Sequence, residues 1–112
     1  MERQKMRMED PVFAAGSTRT ATAKLAIKPA GLACTAELWL SKDGVTKNAT
    51  GGVKAFTSTG VEQSVSFAVI MPTGGFAYQV LLDIYTEGLL LAGYEATEDV
   101  LVPWVSVPVI TW

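Results

Sequence analysis

Apolar and polar residues alternate along most of this chain, the pattern of β-strands that bury one face. Residues 20–28 alternate apolar side chains (alanine, leucine and isoleucine) with threonine and lysine, and Pro29 ends the stretch. Residues 34–40 repeat the alternation, with Trp39 on the face opposite the aliphatic side chains. Asp43-Gly44 then supplies the residues of a tight hairpin turn. The pattern predicts two strands and a turn in the first part of the chain.

The second half of the chain continues the alternation, with glycine and proline between the apolar stretches. The predicted strands are a short one near 53–56, one over 64–71, one over 76–84, and a hairpin at Gly88 that leads into 89–102. No segment has a 3.6-residue apolar period of helical length. The pattern therefore predicts an all-β chain with six or seven strands.

Short strands with turn signals between them are typical of an antiparallel sandwich. We expect an immunoglobulin-like β-sandwich of about seven strands over residues 17–102. Residues 1–16 are predicted to be a flexible N-terminal segment with a possible first strand. Residues 103–112 are predicted to be an apolar tail containing proline and tryptophan. At 112 residues, one domain can bury a core without a disulfide or a metal ion.

The later strands resemble those of the bacterial Ig-like and fibronectin type III-like domains, in particular the CARDB-like (cell adhesion related) group. The resemblance covers residues 17–102 and rests on structural positions. The matching positions are 56–60, 63–67, 71–72, 78–84 and 99–102. The resemblance implies an extracellular or assembly-associated, non-enzymatic module, and it supplies no catalytic residue to carry over.

The chain contains no histidine and a single cysteine, Cys34. The absence of histidine excludes Ser-His-Asp and Cys-His nucleophilic sites, and one cysteine can form neither an internal disulfide nor an all-cysteine zinc site. Cys34 lies in an apolar stretch and is predicted to be a small core residue. We therefore expect no enzyme activity, no catalytic residue, no cofactor and no metal site.

Charge is distributed unevenly, because residues 1–54 hold all nine Lys and Arg and residues 55–112 hold six acids and no base. Either strands from the two halves mix the charges on the surface, or an acidic edge forms. The acids of that edge would be Asp83, Glu87, Glu95, Glu98 and Asp99. A pI near 5 without a cluster of cations argues against nucleic-acid binding.

Three of those acids, Glu95, Glu98 and Asp99, are the candidates for a calcium site, although their spacing lacks the pattern of a dedicated calcium loop. Paired carboxylates such as Asp83 with Glu87, or Glu95 with Glu98, could serve glycoside hydrolysis if they flanked a cleft. We expect these acids to be ordinary solvated charges.

Trp39 and Tyr85 are predicted by strand parity to point outward. Exposed aromatic rings on a sheet can stack on sugars or anchor a protein partner. A one-residue bulge would instead turn Trp39 into the core. Both interpretations of Trp39 stay open at this point.

The apolar tail carries Trp104 and Trp112, no charge, and two prolines. It is either a linker or first strand of a following domain, or an arm that adds as a strand to a neighbouring subunit. In the second case Trp104 and Trp112 are the expected anchors, and a protein partner or self-assembly is implied.

The favoured function is a non-enzymatic structural or interaction module that assembles into a larger complex, with a phage virion component as one candidate. The alternative is a carbohydrate- or surface-binding adhesion module of an envelope protein. Residues 1–10 lack the apolar core of a signal peptide, and no apolar stretch reaches the roughly 18 residues of a membrane-spanning helix. We expect no membrane insertion and favour a virion or an extracellular surface as the location.

Overall fold

The computed structural model of the chain describes residues 3–8 and 11–112. Residues 1, 2, 9 and 10 of the predicted N-terminal segment lie outside the described residues. The described residues form eight strands and no helix, which confirms the all-β prediction. The strands are β1 (Gln4–Met6), β2 (Thr18–Ala26), β3 (Ala33–Ser41), β4 (Ala49–Thr57), β5 (Glu62–Ile70), β6 (Phe76–Thr86), β7 (Leu89–Ala96) and β8 (Val100–Val102).

The strands form two sheets that face each other in a sandwich-like arrangement. The larger sheet has the order β1-β7-β6-β3-β4, and β8 pairs with the start of β6. The smaller sheet contains β2 and β5. These pairings are antiparallel except that of β1 with β7, which is parallel and places Gln4 opposite Tyr94. The first strand therefore completes its sheet only by pairing with a strand near the other end of the sequence.

The core lies between the sheets and is built from alternate residues of each strand, as the period of two requires. Its most deeply buried members include Ala36, Leu40, Phe67, Val69 and Tyr78. Cys34 is buried among them, as predicted. The hydroxyl of Tyr78 donates to the Thr73 carbonyl at 2.5 Å, and burial raises the pKa of this phenol.

Strand β4 is longer than the short strand predicted near residues 53–56. Its pairing with β3 shifts register between Glu37 and Trp39, and the extra residue lies in β4 at Gly51-Gly52. Gly52 has a φ of 77°, a conformation that favours glycine. A Cβ on Gly51 would lie 2.6 Å from the Cβ of Phe67, so β4 and β5 approach closely here. The glycine pair therefore forms a bulge within β4.

The turn predicted at Asp43-Gly44 belongs to a longer loop between β3 and β4. The Asp43 carboxylate accepts hydrogen bonds from the N–H groups of Val45 and Thr46 at 2.9 and 2.7 Å, and from the Ser41 hydroxyl at 2.8 Å. The bonds from the Thr46 and Val45 backbone hold the pKa of Asp43 well below its usual range. Asp43 therefore organises this loop through its charge.

Candidate functional site

Trp39 points away from the core, as strand parity predicted, yet it is only 4% exposed. Its indole N–H donates to the Asp83 carboxylate at 2.9 Å. Arg3 donates to the other oxygen of Asp83 at 2.6 Å. Trp39 and Asp83 are thus buried on the outer face of the larger sheet. There Asp83 links the tryptophan of β3 to Arg3, which precedes β1.

Two cations cover the ring of Trp39. The Arg3 guanidinium lies 5.6 Å and the Lys47 ammonium 5.4 Å from the ring centroid. Lys47 is held by an ion pair with Glu37 at 2.5 Å, and the Thr50 hydroxyl donates to the same carboxylate at 2.7 Å. Burial raises the pKa of Glu37, but these hydrogen bonds and the Lys47 charge outweigh it, and the net shift is downward. The ring that was a candidate for stacking on a sugar is already covered.

A one-residue bulge is present, but it lies in β4 and not in β3, and it does not turn Trp39 inward. The β3–β6 pairing keeps its register through this region, with Trp39 opposite Leu81. The bulge at Gly51-Gly52 therefore changes β4 and leaves the face of Trp39 as parity predicts.

Tyr85 is half-buried and lies opposite Thr35, near the far end of β6. It lies four positions along β6 from Leu81, the partner of Trp39, which corresponds to roughly 13 Å along the strand. Asp83 lies between them on the same face. The structure therefore does not bring Trp39 and Tyr85 together as a contact pair.

The opposite charges of the two halves meet at the β1–β7 edge. Arg3 pairs with Asp83, and Lys5 pairs with Glu95 at 2.5 Å. In the described part of the chain no group of three or more His, Cys, Asp or Glu side chains is placed to hold a metal ion. Asp83 and Glu95 thus take part in ion pairs that mix the charges of the surface.

The tail after β8 is an exposed apolar segment. Trp104 is 69% exposed, Val107 is 88% exposed, and Trp112 has no covering contact. None of residues 103–112 belongs to a strand. At its root, the Gly75 N–H donates to the Val102 carbonyl at 2.7 Å, and the Trp104 Cβ lies beside Gly74 and Gly75. The structure thus leaves both predicted anchors, Trp104 and Trp112, in solvent.

A cleft of about 1020 Å³ opens between the two sheets. Inward aliphatic residues of β3, β5 and β6 form its floor. One wall is β2, through Ala21, Ala23 and Leu25, and the other is the N-terminal segment, through Met6 and Met8. The cleft is therefore an opening into the core itself, between β2 and the β1 side of the larger sheet.

Sequence reasoning missed the Arg3–Asp83–Trp39 cluster and the cleft, although both left a signal. Asp83 interrupts the aliphatic stretch 80–84 within β6, and a carboxylate in such a position needs a partner. The inward face of β2 consists mostly of alanine, which is too small to fill the space beneath a sheet. The position of Asp83 indicates a covered outer face, and the alanines of β2 indicate a core layer that is not fully filled.

No helix among the described residues is long and apolar enough to cross a bilayer. Comparisons with protein-family models, with curated proteins and with solved structures find no match to this chain.

Proposed function

We propose that this protein is a non-enzymatic structural module that assembles with copies of itself, through its C-terminal tail, into a larger complex. The observation that carries the proposal is the exposure of the tail. Valine, isoleucine and tryptophan there are in solvent, and the segment has no charge to hold it there. Contiguous exposed apolar surface of this kind marks an interaction site.

The tail is suited to strand addition. Its β-branched residues favour extended structure, and its two prolines restrict it to an edge position. An extended segment that adds to a sheet edge gains main-chain hydrogen bonds, while alternate side chains fill pockets. Trp104 and Trp112, which share one face near either end of the arm, are large side chains that can contact the partner's surface beside those pockets.

As part of the same proposal, we assign the fold to the immunoglobulin-like sandwiches, and within them to the CARDB-like group; the strand order favours the first of these assignments. β2 and β5 face a sheet of β4, β3, β6 and β7, with β1 parallel to the last of these. Repetitive assemblies built from many copies of a small β-domain, such as phage virions, are the setting we propose for it.

Light scattering across a concentration series of the full chain tests the proposal. We expect a mass that is a multiple of 11.9 kDa and that rises with concentration. In Val107→Asp/Val109→Asp, two charges within the tail prevent its burial, so this variant is expected to stay at 11.9 kDa.

The control variant is Val45→Asp/Val61→Asp, which makes the same substitutions at two exposed valines outside the tail. It should assemble as the unmodified chain does. A full chain that stays monomeric throughout, or equal loss of assembly in both variants, would contradict assembly through the tail.

A further inference from the structure

One edge of β2 has no neighbouring strand among the described residues, and the inward side chains of β2 are only partly buried. Among the described residues, β2 has a hydrogen-bonded partner strand, β5, on one side only. Its inward side chains Ala21, Ala23 and Leu25 are half-buried, whereas the inward valines and phenylalanine of β5 are buried. The difference arises because the cleft lies beside β2. A further strand on this edge would close the cleft.

The backbone groups on the open side of β2 can be identified. The Met71 N–H donates to the Ser17 carbonyl at 2.8 Å, and this pair continues the register of β2 with β5. Hydrogen-bonded pairs alternate along an antiparallel ladder, so the odd-numbered residues of β2 bond to β5. The even-numbered residues, Thr18, Thr20, Thr22, Lys24 and Ala26, therefore direct their N–H and C=O groups to the open side.

The tail has the alternation that this edge requires. In a strand added parallel to β2, the residues that bond to β2 are those whose side chains enter the cleft, because β2 bonds through its outward-facing residues. With odd-numbered residues inward, Val105, Val107 and Val109 both bond and fill the cleft. Pro108, which has no N–H, then faces away from β2, where it costs no hydrogen bond. An antiparallel strand with the same valines inward would turn Pro108 toward β2.

The ten residues that follow β8 are enough to run the nine-residue length of β2. The tail leaves the sandwich beyond β8 and Gly75, at the end where β2 begins, and it continues outward. An 11-residue strand and a ten-residue extended tail together span roughly 70 Å, which agrees with the 68 Å long dimension of the molecule. The tail therefore runs away from its own cleft and is available to another copy.

We propose that the tail of a second copy adds as a third strand, parallel to β2, with Val105, Val107 and Val109 in the cleft. This inference rests on the proposed function and names the surface that receives the tail. The contact is head-to-tail, so each copy offers one tail and one cleft, and copies extend into chains or close reciprocally.

Thr22→Pro tests the edge without altering the tail. It removes an N–H that points to the open side and places a proline ring there, as natural edge strands do to prevent pairing. The matched control is Thr22→Val, which also loses the hydroxyl bond to Ser66 but keeps the N–H. In light scattering on full chains, we expect Thr22→Pro to stay monomeric and Thr22→Val to assemble.

A second test depends on the tail alone and so stands even if Thr22→Pro does not fold. Val107→Asp/Val109→Asp places two charges on the inward face, and Ser106→Asp/Ile110→Asp places two on the outward face. We expect only the inward-face variant to lose assembly. If both variants lose it, or if folded Thr22→Pro assembles normally, the tail assembles elsewhere: this inference fails and the proposed function stands.

A third test mixes the edge variant with the inward-face tail variant. Thr22→Pro retains a usable tail, and Val107→Asp/Val109→Asp retains a usable cleft. Together they should form a 1:1 complex of about twice the 11.9 kDa chain mass, with no larger species. The absence of that complex would overturn the inference. A monomeric unmodified chain whose Val107 amide resists hydrogen exchange would show the tail in its own cleft, and would overturn both proposals.

Discussion

At the scale of single residues, Asp83 connects Arg3 and Trp39, which lie far apart in the sequence. It accepts hydrogen bonds from the Trp39 indole and from Arg3, and its side chain is nearly buried. Among the described residues, every buried side-chain nitrogen or oxygen has a hydrogen-bond partner. Removing one partner of such a set leaves the others buried without one, which costs more than the bond itself contributes.

We expect Asp83→Ala to lower the free energy of unfolding by about 1–3 kcal/mol, because the Trp39 N–H and Arg3 lose their shared acceptor. Chemical denaturation measures this change. Glu62→Ala, at an exposed carboxylate of β5, is the control and should have little effect. In a Trp39→Phe background the Asp83→Ala penalty should shrink; an unchanged penalty would show that the indole bond does not contribute.

Asp43 gives a prediction with a defined pH dependence. Its pKa in the folded chain lies below the ordinary value of 3.8, so the carboxylate stabilises the fold above that pH, and the contribution is lost as the pH falls further. We expect Asp43→Asn to have a lower thermal midpoint than the unmodified chain at neutral pH, with a gap that narrows below pH 3.8. Glu62→Gln controls for the change in charge. A gap that is constant with pH would contradict this account of the loop.

At the scale of elements, β4 shows how two neighbouring glycines serve different purposes. Gly51 is small because Phe67 lies against it, and Gly52 is glycine because its φ is positive. The sequence shows only that both positions are glycine. The reason for each depends on what lies across the sheet, which alternation along one strand does not contain.

Substitutions separate the two reasons. Gly51→Ala should cost about 1–3 kcal/mol of unfolding free energy, through overpacking against Phe67. Gly52→Ala should cost about 1–2 kcal/mol, through its backbone conformation. Asparagine tolerates that conformation, so Gly52→Asn should recover part of the loss, whereas Gly51→Asn should be at least as destabilising as Gly51→Ala. Equal behaviour at the two positions, measured by denaturation, would contradict the bulge.

Prediction from the sequence succeeded where a strand has one buried face and is bounded by turn residues. Strand β3 and its inward residues follow from alternation alone, and so does the outward direction of Trp39. The burial of Trp39 does not follow, because Arg3 reaches it only after β1 pairs with β7. Alternation likewise predicts strands but not which edges stay unpaired, so it identifies the tail and the alanine-rich face of β2 but does not show that a cleft opens beside that face.

At the scale of the whole molecule, the three tryptophans report on two different environments. Trp39 is buried in the body, and Trp104 and Trp112 are exposed on the tail. In dilute solution, Trp104→Phe/Trp112→Phe should leave one blue-shifted emission that acrylamide quenches weakly. Trp39→Phe should leave emission that is red-shifted and strongly quenched. Efficient quenching of Trp39 alone would show that its cover of Arg3 and Lys47 does not persist in solution.

The parallel pairing of β1 with β7 also determines when the molecule can close during synthesis. Gln4 meets Tyr94, 90 residues later in the chain, which a ribosome takes roughly 5–20 s to translate. Until β7 has been made, β1 has no strand to pair with, and the wall of the cleft that contains Met6 and Met8 cannot form. The tail follows within a few residues of that moment. Each chain therefore completes its cleft and its exposed tail at nearly the same point of its synthesis.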